Sequence, residues 1–327
     1  MAIILAHRVK LYPNNAQATY FVKACGVSRF AYNWALSEWK RLHTLGEKVS
    51  EGELRKKLNA IKRESFPWML EVTKCAPQLA IKDLGVAFKN FFEGRTSWPQ
   101  FKRKGRHESF RISNDQFAVE GKKIRIPNLG WVRLAEPLRF EGKILGAAIS
   151  RKVDEWYVSI QVEMTDYPSP HRGDEELTPS LRAKWEGGEN LLTVVDETET
   201  TTAVPGPKAH RPLLNRLNRL HRSLSRKVGR RRTEPKSRNY LETRKEVAKL
   251  CVRVANIRQD ALHKLTTKWA KEYGSIRVEN SAPPREPKGF VLPRVMGDIS
   301  FCEFRRQLEY KAKLTGSSVT IRQGLEV

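Results

Sequence analysis

The chain has 327 residues, and its 61 Lys and Arg against 36 Asp and Glu give a formal net charge of +25. This length is enough for two or three domains with their own cores. A basic surplus of this size favours a polyanionic partner such as nucleic acid. The N-terminal residues lack a signal-peptide pattern, and no apolar run is long enough to span a bilayer. The four cysteines form no CxxC unit, which argues against a zinc ribbon and favours free thiols: Cys25, Cys75, Cys251 and Cys302.

The first half of the chain begins with a strand pattern, because residues 2–12 alternate apolar and polar side chains. Apolar spacing then predicts helices over residues 15–45, 50–63 and 76–92. From 98 to 165, β-branched residues bounded by Gly and Pro predict a small antiparallel barrel. The first strand needs a sheet partner, so we expect it to join this barrel around an inserted helical block. Tyr12 and Tyr32 are expected in the core.

The second half begins after residues 167–189, whose Pro, Gly and mixed charges predict a linker. Residues 190–327 then alternate strand and helix patterns, which predicts an α/β layer. Within 211–227, leucines fall on one helical face and arginines roughly opposite. The leucines are Leu213, Leu217, Leu220 and Leu224, and the arginines are Arg219, Arg222 and Arg226. We expect the arginines to bind phosphates, with a merely solvated basic face as the alternative.

A second basic segment and two isolated carboxylates complete the candidate functional residues. The basic segment follows Phe101 and contains Lys102, Arg103, Lys104 and Arg106, a mixture typical of nucleic-acid binding. Asp196 and Glu279 each follow a short apolar run. A two-metal nuclease site needs several carboxylates, so two are too few for an active one. We therefore expect binding without cutting.

Eight segments in chain order carry a resemblance to a known family. They are residues 8–13 (RVKLYP), 29–34 (RFAYNW), 87–92 (AFKNFF), 99–102 (PQFK), 126–132 (IPNLGWV), 142–145 (GKIL), 260–265 (DALHKL) and 303–311 (EFRRQLEYK). Together they resemble the TnpB (OrfB) RNA-guided nucleases of insertion sequences, relatives of type V CRISPR effectors. The resemblance implies an α+β multidomain fold: a wedge (OB-like) β-barrel of residues 1–14 and 98–166 with a helical recognition domain, 15–97, inserted. A C-terminally truncated RNase H-like RuvC domain, 190–327, would follow the linker.

The same resemblance implies a guide RNA as obligatory partner, one protein monomer per guide, and a double-stranded DNA target beside a short motif. Lys74 and Gln78 match the motif-reading positions and lie four residues apart, on one face of a predicted helix. Thr73, Ser113 and Asn114 are weaker candidates for the same contact. Guide RNA or heteroduplex backbone would lie on the basic residues at 102–106 and 219–226. A cytoplasmic, nucleoid-associated prokaryotic protein is expected.

The departures from the family concern the nuclease site. Asp196 is followed by Glu197 rather than by the family's Leu/Val-Gly, and neither the family's zinc ribbon nor its final Asp is found. Glu197, Glu199 and Asp298 are possible substitute ligands, although Asp298 is better explained as a helix cap. The combination resembles TldR proteins, nuclease-dead TnpB relatives. It predicts that the chain is not an enzyme, that Asp196 and Glu279 are vestigial, and that zinc is absent and magnesium unnecessary.

A TldR-like protein would repress transcription by forming an R-loop that blocks RNA polymerase. Three alternatives stay open at this point. The chain could be a transposon's RNA-guided DNA endonuclease with substitute metal ligands, a decayed remnant without a role, or a repressor that recognises DNA without RNA.

Overall fold

The computed structural model describes residues 3–47, 49–165, 180–185, 190–195, 201–205, 210–228, 236–280 and 291–323. The chain divides into two compact units, Met1–Asp166 and Tyr167–Val327. Each unit combines a sheet with helices, so the predicted α+β class is confirmed.

The first unit contains three helices and a seven-stranded sheet. The helices are α1 (Asn15–Thr44), α2 (Glu51–Ser65) and α3 (Cys75–Phe92), with short 3-10 helices at Pro67–Glu71 and Asn114–Gln116. The strands are β1 (Ile3–Tyr12), β2 (Ser109–Ser113), β3 (Ala118–Glu120), β4 (Lys123–Ile126), β5 (Gly130–Leu134), β6 (Lys143–Lys152) and β7 (Glu155–Met164).

The sheet of the first unit is antiparallel, and β1 lies at its centre in the order β2-β6-β7-β1-β5-β4-β3. β1 pairs with β7 from Ile3↔Met164 onward and with β5 at Leu11↔Leu134. The prediction that the first strand joins the later strands is therefore confirmed. Among the described strands β2 and β3 do not pair, so the sheet is open and the predicted barrel closure is not confirmed.

The core of this unit follows from alternation along the strands. His7, Val9 and Leu11 are buried, whereas Arg8, which lies between His7 and Val9, is exposed. Helix α1 covers the inner face of the sheet, where the Phe21 ring centroid lies 5.0 Å from that of Trp156. A capping box at Asn14 begins this helix.

The two tyrosines expected in the core have different outcomes. Tyr32 on α1 is 6% exposed, which confirms the prediction. Tyr12 is 51% exposed, so its prediction was wrong. The reason is strand parity: Leu11 faces the core, and the next residue must point to the opposite face of the sheet.

The second unit contains a mixed five-stranded sheet in the order β10-β9-β8-β11-β12. The strands are β8 (Ser180–Trp185), β9 (Asn190–Val195), β10 (Thr201–Pro205), β11 (Ser275–Asn280) and β12 (Ser318–Gln323). The helices are α4 (His210–Arg226), α5 (Arg238–Glu272) and α6 (Val291–Thr315). β8, β11 and β12 run parallel, while β9 and β10 are antiparallel to their neighbours. This is the predicted α/β layer.

Strand β8 corrects the predicted linker, because it lies inside residues 167–189 and pairs with both β9 and β11. Its buried residues are Leu181 and Ala183. Leu181, Ala183 and Trp185 alternate with polar residues, which is a strand pattern. The prediction missed it because the surrounding residues are rich in Pro, Gly and mixed charge. The rest of the predicted linker lies outside the described residues.

Helices α5 and α6 pack on the parallel part of this sheet. Trp269 and Phe304 meet edge to face at 5.8 Å between ring centroids, and both belong to one cluster with the buried strand residues Ile276 and Val278. No described helix has the length and apolar character needed to cross a membrane.

Lys311 is a buried cation between α5 and α6, 7% exposed. Its Nζ donates three hydrogen bonds of 2.7 Å, to the His263 carbonyl and to the hydroxyls of Thr266 and Thr267. Burial, with a smaller contribution from the charge of Arg306, lowers the pKa of Lys311 to about 8. The hydrogen bonds therefore only partly offset the loss of hydration.

Above pH 8 the free energy of unfolding of the wild-type protein is expected to rise relative to that of a Lys311→Met variant, which lacks the titrating group. Between pH 8 and the usual lysine pKa the folded protein loses this proton and the unfolded chain keeps it. The unfolded state then binds more protons, so wild-type stability rises relative to the variant, by at most about 1.4 kcal/mol per pH unit. Urea unfolding between pH 7 and 10 measures the difference, and Lys313→Met, an exposed lysine on the same helix, is the control. A constant difference across this range would contradict the assignment.

Candidate nucleic-acid interface

The predicted motif-reading residues lie around the start of α3. Lys74 is exposed at the N-cap position, and Gln78 follows one turn later, half-buried. Thr73 is only 1% exposed, and its Oγ1 accepts a hydrogen bond from the Cys75 N–H at 3.3 Å. The Thr73 side chain therefore stabilises the beginning of the helix, while Lys74 is free to reach outward.

Ser113 and Asp115 connect the end of β2 to this helix start. The Ser113 hydroxyl lies 3.2 Å from the Cys75 sulfur and donates to the Asp115 carboxylate at 2.5 Å. Hydrogen bonds from Ser113 and Gln116 lower the pKa of Asp115, and the charge of Lys74 contributes. The structure thus brings Ser113 beside Lys74, with Asn114 exposed next to them.

A cavity of about 340 Å³ opens beside Lys74. It is lined by Lys62, Met69, Leu70, Val72, Thr73, Lys74, Pro77, Gln116, Pro127 and Asn128. The lining comes from α2, the Pro67–Glu71 segment, the start of α3, the turn after β2 and the turn between β4 and β5. Of the five residues predicted for motif recognition, Thr73 and Lys74 contribute to it.

The Tyr20 side chain connects two walls of this cavity through its hydroxyl. Its hydroxyl accepts a hydrogen bond from the Thr73 N–H at 2.9 Å and donates to the Pro127 carbonyl at 2.8 Å. The side chain is 8% exposed, and burial raises the pKa of Tyr20. A buried hydroxyl with both a donor and an acceptor partner fixes the distance between the walls.

A Tyr20→Phe variant is expected to fold but to lose about 1–3 kcal/mol of unfolding free energy, because the Thr73 N–H stays buried without its partner. We also expect weaker discrimination between motif sequences in a DNA-binding assay, since the cavity walls are no longer joined. Tyr32→Phe is the matched control, because Tyr32 is buried on the same helix and does not line the cavity. Equal effects of the two variants would show that the bridge has no special role.

The basic segment at 101–107 is fastened to α1. Asn33 accepts a hydrogen bond from the Lys102 N–H at 2.8 Å and donates to the Lys102 carbonyl at 2.9 Å. The Lys102 ammonium lies 4.1 Å from the centroid of the Tyr32 ring, and the partial loss of hydration there lowers the pKa of Lys102. Lys102 therefore anchors the segment through its backbone and its ring contact, although its side chain is exposed, as are Arg103, Lys104 and Arg106. The anchoring role of Asn33 was missed, because a lone Asn in a helical pattern carries no signal for it.

The arginine face of α4 has the predicted orientation. Leu217 is 1% exposed and packs with Val247 and Leu250 of α5, and the other three predicted leucines border this cluster. Arg219, Arg222 and Arg226 are exposed on the other side of the helix. The leucine packing is confirmed, and the phosphate-binding role of the arginines stays a prediction.

The outer face of the seven-stranded sheet is a basic and aromatic surface that the sequence did not single out. The Arg8 guanidinium lies 4.2 Å from the Tyr157 ring centroid, and the Arg133 guanidinium lies 5.8 Å from that of Tyr12. Alternation of Arg8, Lys10 and Tyr12 along β1 was the available signal.

Of the two predicted vestigial carboxylates, the structure describes one. Glu279 is exposed on β11, where its direct neighbours in register are Lys184 of β8 and Arg322 of β12. Asp196, Glu197 and Glu199 lie outside the described residues, as does the Asp298 side chain. Within the described chain no group of three His, Cys, Asp or Glu could hold a metal ion. A single carboxylate does not fit a metal site by itself.

Two family models match this chain, both of the OrfB_IS605 type. A "Helix-turn-helix domain" model matches residues 1–48, and a "Probable transposase" model matches residues 187–280. In the structure, the first of these regions forms the strand β1 and the single long helix α1.

Curated relatives match almost the whole chain. It is 29% identical over 337 residues to "Putative RNA-guided DNA endonuclease InsQ" of Escherichia coli (strain K12), covering 98% of this chain and 80% of that protein. It is 27% identical over 324 residues to "Putative RNA-guided DNA endonuclease" of Streptomyces pristinaespiralis, covering 97% and 76%. The prediction that the chain is not an enzyme is contradicted by these relatives, because their names describe endonucleases.

A solved structure has a similar fold. The chain in "Cryo-EM structure of the Cas12f1-sgRNA-target DNA complex" matches with a TM-score of 0.51 at 10% identity, covering 94% of this chain and 73% of that one. At this identity the likeness concerns the fold alone.

Proposed function

Since the two family models and the curated relatives support a place for this chain in the TnpB/OrfB family of IS605 elements, we propose that it is an RNA-guided DNA endonuclease. The observation that carries the proposal is the alignment with the Escherichia coli relative over 98% of this chain. The protein would bind a guide RNA, pair it with one strand of a DNA target, and cut that target.

The charge distribution supports binding of two nucleic acids. The chain has a formal net charge of +25. Exposed cations lie on the arginine face of α4 (Arg219, Arg222 and Arg226) and on the basic segment that Asn33 anchors (Arg103, Lys104 and Arg106). Such surfaces bind phosphate backbones without regard to sequence. Sequence selection would come from the guide.

For the cutting step, Asp196 and Glu279 are the candidate catalytic carboxylates. They follow two apolar runs, and Glu279 is exposed at the end of a strand whose neighbours on both sides are parallel to it. Glu197 and Glu199 supply further carboxylates next to Asp196 in sequence. The described residues alone do not fit a metal site, so we derive no step that passes through a metal ion.

The deciding experiment starts with the RNA that copurifies with the protein from cells. Sequencing is expected to find a constant scaffold with a variable end. A plasmid carrying the matching target beside a randomised flank should then be nicked or linearised by the purified complex, and a mismatched plasmid should stay intact. Ribonuclease treatment should remove binding as well as cutting.

Three outcomes would contradict the proposal in different ways. Tight guided binding without any cutting would favour the TldR-like repressor that the carboxylate count predicts. Binding that survives ribonuclease would favour a protein that recognises DNA by itself. A preparation without RNA and without DNA affinity would favour a decayed remnant.

A further inference from the structure

Three aromatic rings form a column at the C-terminal end of α3. Trp39 of α1 stacks on Phe88, with ring centroids 4.0 Å apart and planes inclined by 17°, and Phe92 follows Phe88 at 6.2 Å and 24°. Phe88 is buried, whereas Phe92 is 66% exposed although it is a large apolar side chain. The column of Trp39, Phe88 and Phe92 therefore ends in a ring that is largely open to solvent.

Two further rings hold this aromatic column in place. Trp98 meets both Phe88 and Phe91 edge to face, at 5.3 and 5.0 Å between ring centroids. Phe91 in turn lies 5.4 Å from Phe92, again edge to face. A side chain that is already positioned by its neighbours loses less entropy when it binds a ligand. Phe92 is thus prepared for a further flat ring that would extend the column.

The charge next to the open ring is positive. Lys89 precedes Phe92 by three residues on α3, so the two side chains are neighbours on the helix surface, and Lys89 is exposed. Glu93 follows Phe92 in the chain, but its carboxylate lies 3.2 Å from the Arg95 guanidinium. A ligand that carries negative charge beside a flat ring would match both the column and its surroundings.

The basic segment at 101–107 brings more cations towards the column. It begins three residues after Trp98, which packs on the column. The Lys40 ammonium of α1 lies 4.8 Å from the centroid of the exposed Phe101 ring. Beyond Phe101, Arg103 and Lys104 are exposed. Aromatic rings beside a run of cations are typical of single-strand binding, because bases stack on the rings while phosphates lie along the cations.

We propose that Phe92, as the open end of the aromatic column, binds one unpaired nucleobase of a single-stranded nucleic acid, with the neighbouring phosphates on Lys89 and the basic segment. A base within a duplex has both faces covered, so a strand without a partner offers this ring far more stacking sites than a duplex does. A second copy of this chain is a poorer occupant, because it would bring the same positive charges to the contact.

This site is separate from the residues predicted for motif recognition. Lys74 caps the other end of α3, about 27 Å away along the helix from Phe92. Binding at Phe92 requires an unpaired nucleotide and no particular sequence, since every base has a face that can stack. The proposal also stands whether or not the chain cuts DNA.

The test uses the full-length chain, freed of copurified RNA by ribonuclease and high salt. Its probes are short fluorescent strands of oligo(dT) and oligo(U), each with a counterpart that keeps the sugar and phosphates but lacks the bases. Fluorescence anisotropy is expected to show roughly tenfold tighter binding of at least one base-bearing strand than of its counterpart. The strand with the larger difference identifies DNA or RNA as the source of the nucleotide.

Variants at position 92 assign this difference to the column. Phe92→Ala and Phe92→Leu should lose most of it, while their affinity for the strands without bases stays unchanged. Leucine keeps an apolar side chain at this position, so its effect reports the missing ring face and not a folding defect. Phe92→Trp should keep the difference or increase it. Val86→Ala, at an exposed apolar position on the same helix, is the control.

Three results would overturn the assignment. The first is equal wild-type affinity for strands with and without bases, or a difference that both the Ala and the Leu variants retain. The second is a Phe92→Leu variant that weakens binding of both kinds of strand equally, because a lost ring face cannot explain that. The third is self-association of the wild type that Phe92→Ala abolishes in sedimentation while base-dependent binding persists, since the patch is then an interface between copies.

Discussion

Replacing Glu279 with glutamine is expected to slow guided DNA cutting by roughly a hundred- to a thousandfold, the loss that removal of several kcal/mol of transition-state stabilisation produces. Glutamine keeps the size of the side chain and removes its charge. Glu279 is exposed, so the substitution should leave the fold and the binding of guide and target unchanged. Single-turnover cleavage of a matched duplex, with binding measured in parallel, separates the two effects.

Glu272→Gln is the matched control for this prediction. It makes the same chemical change in the same unit, at an exposed helix position where the carboxylate lies 3.9 Å from the Lys268 ammonium. A surface ion pair of this kind contributes little to stability. If the two variants cut DNA at the wild-type rate, Glu279 has no catalytic role, and the remaining candidate carboxylates are Asp196, Glu197 and Glu199.

Replacing Arg219, Arg222 and Arg226 together with alanine is expected to weaken guide-RNA binding by roughly a hundredfold near 0.1 M salt, because three phosphate contacts are lost. The slope of log affinity against log salt should fall by about two to three units. The three arginines are exposed, and the leucine face that holds α4 on α5 stays intact. Filter binding at four or five salt concentrations gives both quantities.

The control for this charge removal lies on α5. Lys264, Lys268 and Lys271 are also exposed, and the first two lie near the carboxylates of Asp260 and Glu272. Their replacement by alanine should change the slope much less. If the two triple variants lose affinity equally, the protein binds RNA through its overall charge and not through the α4 face.

The sequence predicted the features that depend on local patterns. Alternation along residues 2–12 predicts β1, and the absence of a nearby partner strand correctly predicts that it joins the later strands, where it pairs with β5 and β7. The leucine spacing in α4 correctly predicts which side packs on α5. These patterns suffice because each is enforced by burial of one face of the element.

The cavity could not be predicted, because its walls meet only through long-range contacts. The Tyr20 hydroxyl joins Thr73 to Pro127, and these residues are far apart in the chain. No local pattern marks a tyrosine for such a role. The strand β8 differs from the cavity, because its alternating residues Leu181, Ala183 and Trp185 did carry a local signal, which the Pro- and Gly-rich residues around it obscured.

The central position of β1 has a consequence for how the first unit assembles. Without β1 the sheet would separate into two pieces, β2-β6-β7 and β5-β4-β3, since β1 is the only strand of the described sheet that pairs with both. During synthesis β1 cannot pair until β5, and later β7, has been made. The helices α1, α2 and α3 lie between these strands in the chain and form from local contacts, so they can fold earlier. A short deletion at the start of the chain is therefore expected to unfold residues more than a hundred positions downstream, out of proportion to its length.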